Sequence, residues 1–150
     1  MIKKILAPID GSETARNALK YAVDLARQTG SSIMLLSVID RSPYFGAPTV
    51  PSVSTPTHLL ENLEDYLRQT AEAYVSEAEE LCRAEGVASR KIIRAGHPVE
   101  EILKAAEDSK ADLIVMGSHG KSALRAALLG SVTIGLIHSE TKFPVLVVRR

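Results

Sequence analysis

Residues 116–133 read MGSHGKSALRAALLGSVT, with Gly117, Gly120 and Gly130 at fixed offsets and Ser131 directly after the last, a G-x2-G-x9-G-S spacing. Lacking Cβ atoms, Gly117 and Gly120 let backbone N–H groups approach an anion. A helix beginning at Gly130 and Ser131 would add unpaired N–H donors and the positive end of its dipole. Together these could cradle a polyphosphate, with Ser131 and Thr133 as hydroxyl donors and Lys121 and Arg125 as charge at the rim. The same residues also read as plain turns followed by a Ser131 cap, and the pattern alone leaves both readings open.

Three better-known motifs fail in this stretch. GSHGKS ends like a Walker A loop, but two residues separate Gly117 from Gly120 where four are required. No G-x-G-x-x-G follows the first apolar run, so the usual dinucleotide fingerprint is missing. MGSHG resembles a nucleophile elbow around Ser118, yet Met116 stands where the first glycine belongs, so the strained turn is not encoded. His119, one histidine without ligand-spaced partners, reads more simply as structural, and His58, His97 and His138 form no metal pattern.

The elements that must position this loop follow from hydrophobic patterning. Residues 3–9 (KKILAPI) and 32–38 (SIMLLSV) are apolar runs without alternation, as in strands covered on both faces of a parallel sheet. Between them Ala15, Ala18, Leu19, Ala22, Leu25 and Ala26 recur at helical spacing, with Ser12 as N-cap and Gly30 as stop. Residues 41–57 hold four of the seven prolines and form a long extended loop, marked as a lid or binding edge. A helix over 58–85 has Leu60, Leu63, Leu67, Ala71, Tyr74, Ala78 and Leu81 as its buried stripe, and its acidic other face reads as solvated. A strand at 89–94, a helix over 98–110 opened by Pro98, a strand at 112–116, a helix over 131–140 and a strand at 144–148 complete the alternation. Strict alternation predicts an open, doubly wound five-stranded parallel sheet with helices on both faces. In such sheets ligands sit beyond the carboxyl ends of the strands where the winding reverses.

One hundred and fifty residues suit a single domain, 1–150. Eighteen Lys plus Arg cancel eighteen Asp plus Glu, which disfavours a nucleic acid or an anionic membrane as partner. Cys82 has no second cysteine to bridge and reads as an inert, half-buried thiol. Pro8 and Asp10 break the opening apolar run too early for a signal peptide, and neither uncharged stretch, 42–60 or 126–139, suits a bilayer span. The expectation is a cytoplasmic protein.

The opening ILAPIDGSE, the end of the second strand LLSVID, and the spaced glycines with Ser131 together resemble the universal stress proteins, in particular their ATP-binding branch, over essentially the whole chain. That resemblance implies a Rossmann-like sheet of order 3-2-1-4-5, with ATP across the carboxyl ends of strands one and four and the last strands pairing between subunits. It would place Pro8, Ile9 and Asp10 beside adenine and ribose, Asp10 as a hydrogen-bond acceptor, with Val38 on adenine and Met116 beside the sugar or base. Gly117, Gly120, Gly130, Ser131, Val132 and Thr133 would surround the phosphates. Lys121, Ser122 and Arg125 fall in the family's variable spacer, so their phosphate role rests on charge and position alone. Without the resemblance, Asp10 reads as a cap of the first helix.

The strand at Pro144 to Val148 is apolar, and at the sheet edge it calls for cover, which a two-fold partner would supply in a homodimer. The functional expectation is an ATP-binding regulatory protein, with Mg²⁺ bridging the phosphates, whose nucleotide state alters its interaction with another protein. Two alternatives stand beside it: a slow ATP hydrolase or phosphotransferase using His119, Lys121 or Arg125, and a nucleotide-free interaction module whose glycines only shape turns.

Overall fold

The computed structural model describes residues 1–41, 57–120, 129–139 and 141–149. Strands and helices alternate as the patterning predicts: β1 (Lys4–Pro8), α1 (Glu13–Thr29), β2 (Ser32–Ile39), α2 (Thr57–Ala84), β3 (Ser89–Ala95), α3 (Pro98–Ser109), β4 (Leu113–Gly117), α4 (Ser131–His138) and β5 (Val145–Val148). The sheet is parallel throughout, in the order β3-β2-β1-β4-β5. The expected proline-rich loop at 41–57, apart from its end residues, lies outside the described residues.

Successive side chains of a strand point to opposite faces, so the central strands feed two cores. Ile5, Ala7, Ile33, Leu35, Leu113 and Val115 pack with α1 and α2; Leu6, Met34, Leu36, Ile114 and Met116 pack with α3 and α4. Helices α1 and α2 therefore cover one face and α3 and α4 the other, and the winding reverses between β1 and β4. Ser12 caps α1, its hydroxyl accepting from Ala15 N at 3.1 Å, and Gly30 ends the helix at φ 73° with its N–H on Ala26 O. In α2 the buried line is Ala71, Val75, Ala78 and Cys82, while Tyr74 and Leu81 only flank it and Leu63 and Leu67 are half-buried. Ala71 and Ala78 are buried as expected, whereas Val75 and Cys82 take the places expected of Tyr74 and Leu81, and the side chain of Leu60 lies outside the described residues. Cys82 is thus fully rather than half buried, and burial raises its thiol pKa.

One carboxylate fastens the lower end of the β1–β4 seam. Asp112 Oδ2 accepts from Lys3 N at 2.8 Å and Lys4 N at 3.0 Å, and Asp112 N donates to Lys4 O at 2.8 Å. Those backbone bonds hold the Asp112 pKa below the usual carboxylate value. At the upper end the seam opens. β1 pairs with β2 from Lys4 to Pro8 but with β4 only at Ile5↔Leu113 and Leu6↔Ile114. Lys3 O and Ile9 N bond to β2, whereas Lys4 O bonds toward β4, so even-numbered residues of β1 present their backbone polar groups to β4. Pro8 is even-numbered and has no N–H to offer, which ends the ladder where the winding reverses.

Candidate functional site

The loop leaving β1 gives each residue of Asp10-Gly11-Ser12 a separate task. Asp10 Oδ1 accepts from Ser12 N at 2.9 Å, an Asx-type turn; Gly11 takes φ 79°, which few other residues tolerate; Ser12 then caps α1. Asp10 is therefore not the helix cap, and its second oxygen faces the glycine loop: a Cβ on Gly120 would lie 2.5 Å from Asp10 Oδ2. The topology thus brings together two loops about 110 residues apart in sequence, at the switch point where α/β sheets bind ligands.

None of Gly117, Gly120 and Gly130 needs a left-handed backbone; close approach is what requires them. A Cβ on Gly117 would lie 2.9 Å from Thr14 C and 3.0 Å from Thr14 O, and one on Gly130 would lie 2.9 Å from His119 Cα. Gly130 N donates to Ser118 O at 2.7 Å, and Ser118 N donates to Val148 O at 3.0 Å, which fixes the outgoing and returning arms of the loop on each other and on β5. Thr14 Oγ1 donates to His119 O and ties the same loop to the first turn of α1. Thr14 escaped sequence reasoning because nothing in the local pattern links it to a residue 105 positions away.

Helix α4 begins over this loop. Gly130 occupies its N-cap position in extended geometry (φ −70°, ψ 160°) and offers no side-chain acceptor. The first intrahelical bond is Ile134 N to Gly130 O at 2.9 Å, and among the described residues no acceptor meets the amides of Ser131, Val132 and Thr133. Such amides, with the dipole behind them, suit an anion. Thr133 has a different role from the donor envisaged above: its buried hydroxyl donates to Gly117 O at 2.9 Å and locks the first turn of α4 to the end of β4. Ser131 is exposed.

The apolar candidates divide between the two faces. Val38, Met116 and Val132 belong to the α3/α4 side, with Met116 buried and the other two half-buried. Ile9 belongs to the α1/α2 core, and its N–H is taken by Leu36 O at 2.7 Å, so its side chain does not join that group. Pro8, half-buried, ends β1 between them. Lys121, Ser122 and Arg125 lie outside the described residues. His119 Nδ1 is 3.0 Å from Ser118 Oγ, but Ser118 is only 2% exposed, so that hydroxyl is closed to a substrate in this arrangement. Among the described residues no three acidic, histidine or cysteine side chains converge as a metal cage, and no helix is long and apolar enough to cross a membrane.

A parallel, doubly wound sheet with a glycine loop and an uncapped helix start at its switch point defines a Rossmann-like α/β protein, the class whose ligands sit at that switch point. The sequence model of the universal stress protein family matches residues 1–149, and the chain belongs to that family. It is 39% identical to universal stress protein MJ0577 of Methanocaldococcus jannaschii, covering 100% of this chain and 96% of that one. It is 32% identical to universal stress protein YxiE of Bacillus subtilis, covering 99% and 100%. The solved structure of MJ0577 superposes with a TM-score of 0.82 at 37% identity, over 99% of this chain and 96% of that one. A universal stress protein in complex with cAMP has the same fold, with a TM-score of 0.70 at 22% identity over 98% and 97% of the two chains.

Proposed function

We propose that this protein binds ATP in the crevice between β1 and β4 and acts as a cytoplasmic regulatory dimer, whose nucleotide state changes what its surface offers to another protein. The observation that carries the reading is the amide triplet of Ser131, Val132 and Thr133, which no acceptor among the described residues meets, beside Gly117 and Gly130, where a side chain would run into main chain. The amides would take the phosphates, Asp10 would accept from the ribose, and Pro8, Val38 and Met116 would border the base and sugar. Gly117, Gly120 and Gly130 allow the backbone approach, and Lys121 and Arg125 would add charge at the rim. Mg²⁺-ATP would bring a charged phosphate tail, its metal taking ligands from phosphate and water, and the amides of Ser131, Val132 and Thr133 would hold that tail. The universal stress protein solved with cAMP supports a nucleotide as the class of ligand.

The contrast between the two sheet edges supports the dimer. β3 carries exposed Arg90 and Lys91, charges of the sort that discourage strand pairing, whereas β5 is Val145–Val148, uncharged and half-buried along its length. A second copy pairing along β5 would cover it.

Ser131→Asp tests the phosphate arm. An acidic residue in the first helical turn favours the helix by about 0.3–1 kcal/mol, yet it repels a phosphate placed on the same amides. Titration calorimetry with Mg²⁺-ATP should show at least a tenfold loss of affinity, roughly 1.4 kcal/mol, while the melting temperature holds or rises. Unchanged affinity in the folded variant would sink this assignment.

A further inference from the structure

Gly11 meets more than the demands of a tight turn. A Cβ at this position would lie 2.9 Å from Tyr74 Cδ1 and closer still to Cε1 and Cζ, so the aromatic ring of α2 occupies the space that the missing side chain leaves. The peptide under that ring joins Asp10 to Ser12. Asp10 Oδ1 is held by Ser12 N, and its Oδ2 abuts Gly120. The turn is therefore fixed at two contacts, one with the glycine loop and one with α2. Beside the ring, Ile9, Ser12, Arg16 and Glu77 line a recess in which Arg16 pairs with Glu77 at 2.5 Å, tying the first turns of α1 to α2. That ion pair is solvent-exposed and contributes little, so the packed ring is the firm link between α2 and the turn.

We infer that Tyr74 is a positioning residue for nucleotide binding: its ring sets the Gly11 turn so that the Asp10 carboxylate meets the ribose, which couples occupancy of the crevice to α2. This rests on the ATP reading above. It gives α2 a role that its acidic, solvated face did not suggest, as the element through which a ligand beyond the sheet would be felt on the α1/α2 face.

The test uses the full chain and two ligands, Mg²⁺-ATP and inorganic tripolyphosphate, which has phosphates but no ribose. Tyr74→Ala should weaken ATP binding about tenfold, the scale of one hydrogen bond to a charged group. Tripolyphosphate affinity should stay at the wild-type value, and Tyr74→Phe, which keeps the ring on Gly11, should bind ATP more tightly than Tyr74→Ala. Combined with Asp10→Ala, Tyr74→Ala should bring no further loss, because both act through one contact. The inference is overturned if wild-type protein binds ATP and Tyr74→Ala binds it equally well, or if Tyr74→Ala loses both ligands by the same factor. It is also overturned if the two substitutions add, or if Tyr74→Phe is as weak as Tyr74→Ala. Wild-type protein that bound neither ligand would instead remove the nucleotide reading, and this inference with it.

Discussion

Gly117→Ala and Gly120→Ala add the same methyl group to two glycines of one loop, yet the structure assigns them different consequences. At residue 117 the new Cβ meets main chain: Thr14 C at 2.9 Å, Thr14 O at 3.0 Å and Ala15 N at 3.1 Å. To reach ordinary carbon contact, near 3.5 Å, the start of α1 must retreat by about half an ångström. That movement strains the Ser12 cap and the Thr14 to His119 bond together. Overpacking of this kind costs about 1–3 kcal/mol, offset by the roughly 0.4–1 kcal/mol that alanine gains through the unfolded chain. The net loss is about 1–2 kcal/mol, or a fall in melting temperature of roughly 2–8 °C for a domain of this size. At residue 120 the nearest atom among the described residues is Asp10 Oδ2 at 2.5 Å and the next is Asp10 Cγ at 3.7 Å, the end of a flexible side chain rather than main chain. Gly120→Ala should therefore leave stability within about 0.5 kcal/mol of wild type. By displacing the carboxylate it should still weaken Mg²⁺-ATP binding about tenfold. Urea denaturation and titration calorimetry on both variants measure the two quantities separately. If Gly120→Ala lost as much stability as Gly117→Ala while binding ATP normally, the division between a packing glycine and a binding glycine would be wrong.

Three further outcomes follow from single contacts. Thr133→Val removes the buried donor to Gly117 O without changing side-chain shape and should cost about 1–3 kcal/mol in urea denaturation, with Thr133→Ser recovering part of it. Asp112 has a folded-state pKa below its unfolded value, so its contribution is present above the ordinary carboxylate range and fades as pH falls through the lowered value. Asp112→Asn should accordingly be less stable than wild type at about pH 7, with the gap narrowing as pH falls below the ordinary carboxylate range; a constant gap would show that the charge contributes nothing. Lys110 closes α3 at φ 55°, a left-handed geometry that disfavours a side chain, so Lys110→Gly should raise thermal stability by about 0.5–1 kcal/mol in calorimetry.

The sequence by itself determined the alternation of strands and helices, the caps at Ser12 and Gly30, and the loops that deserve attention, because each of these is written in residues close together in the chain. Doubly apolar runs and helical spacing report burial on two faces or one, and Asp-Gly-Ser between a strand and a helix leaves little choice of turn. Tertiary structure decided what those residues touch. The spacing of Gly117, Gly120 and Gly130 suggested room for a ligand, but which glycine faces backbone and which faces Asp10 depends on β4 lying next to β1. Thr133 looked like a ligand donor until the fold placed Gly117 O beneath its hydroxyl, and Tyr74 looked like one more core residue until α2 set its ring on Gly11. Local pattern records the period of a segment and the conformations its residues allow; contacts between segments 60 or 100 residues apart arise only when the sheet order is fixed, which is how the Tyr74 ring comes to lie on Gly11.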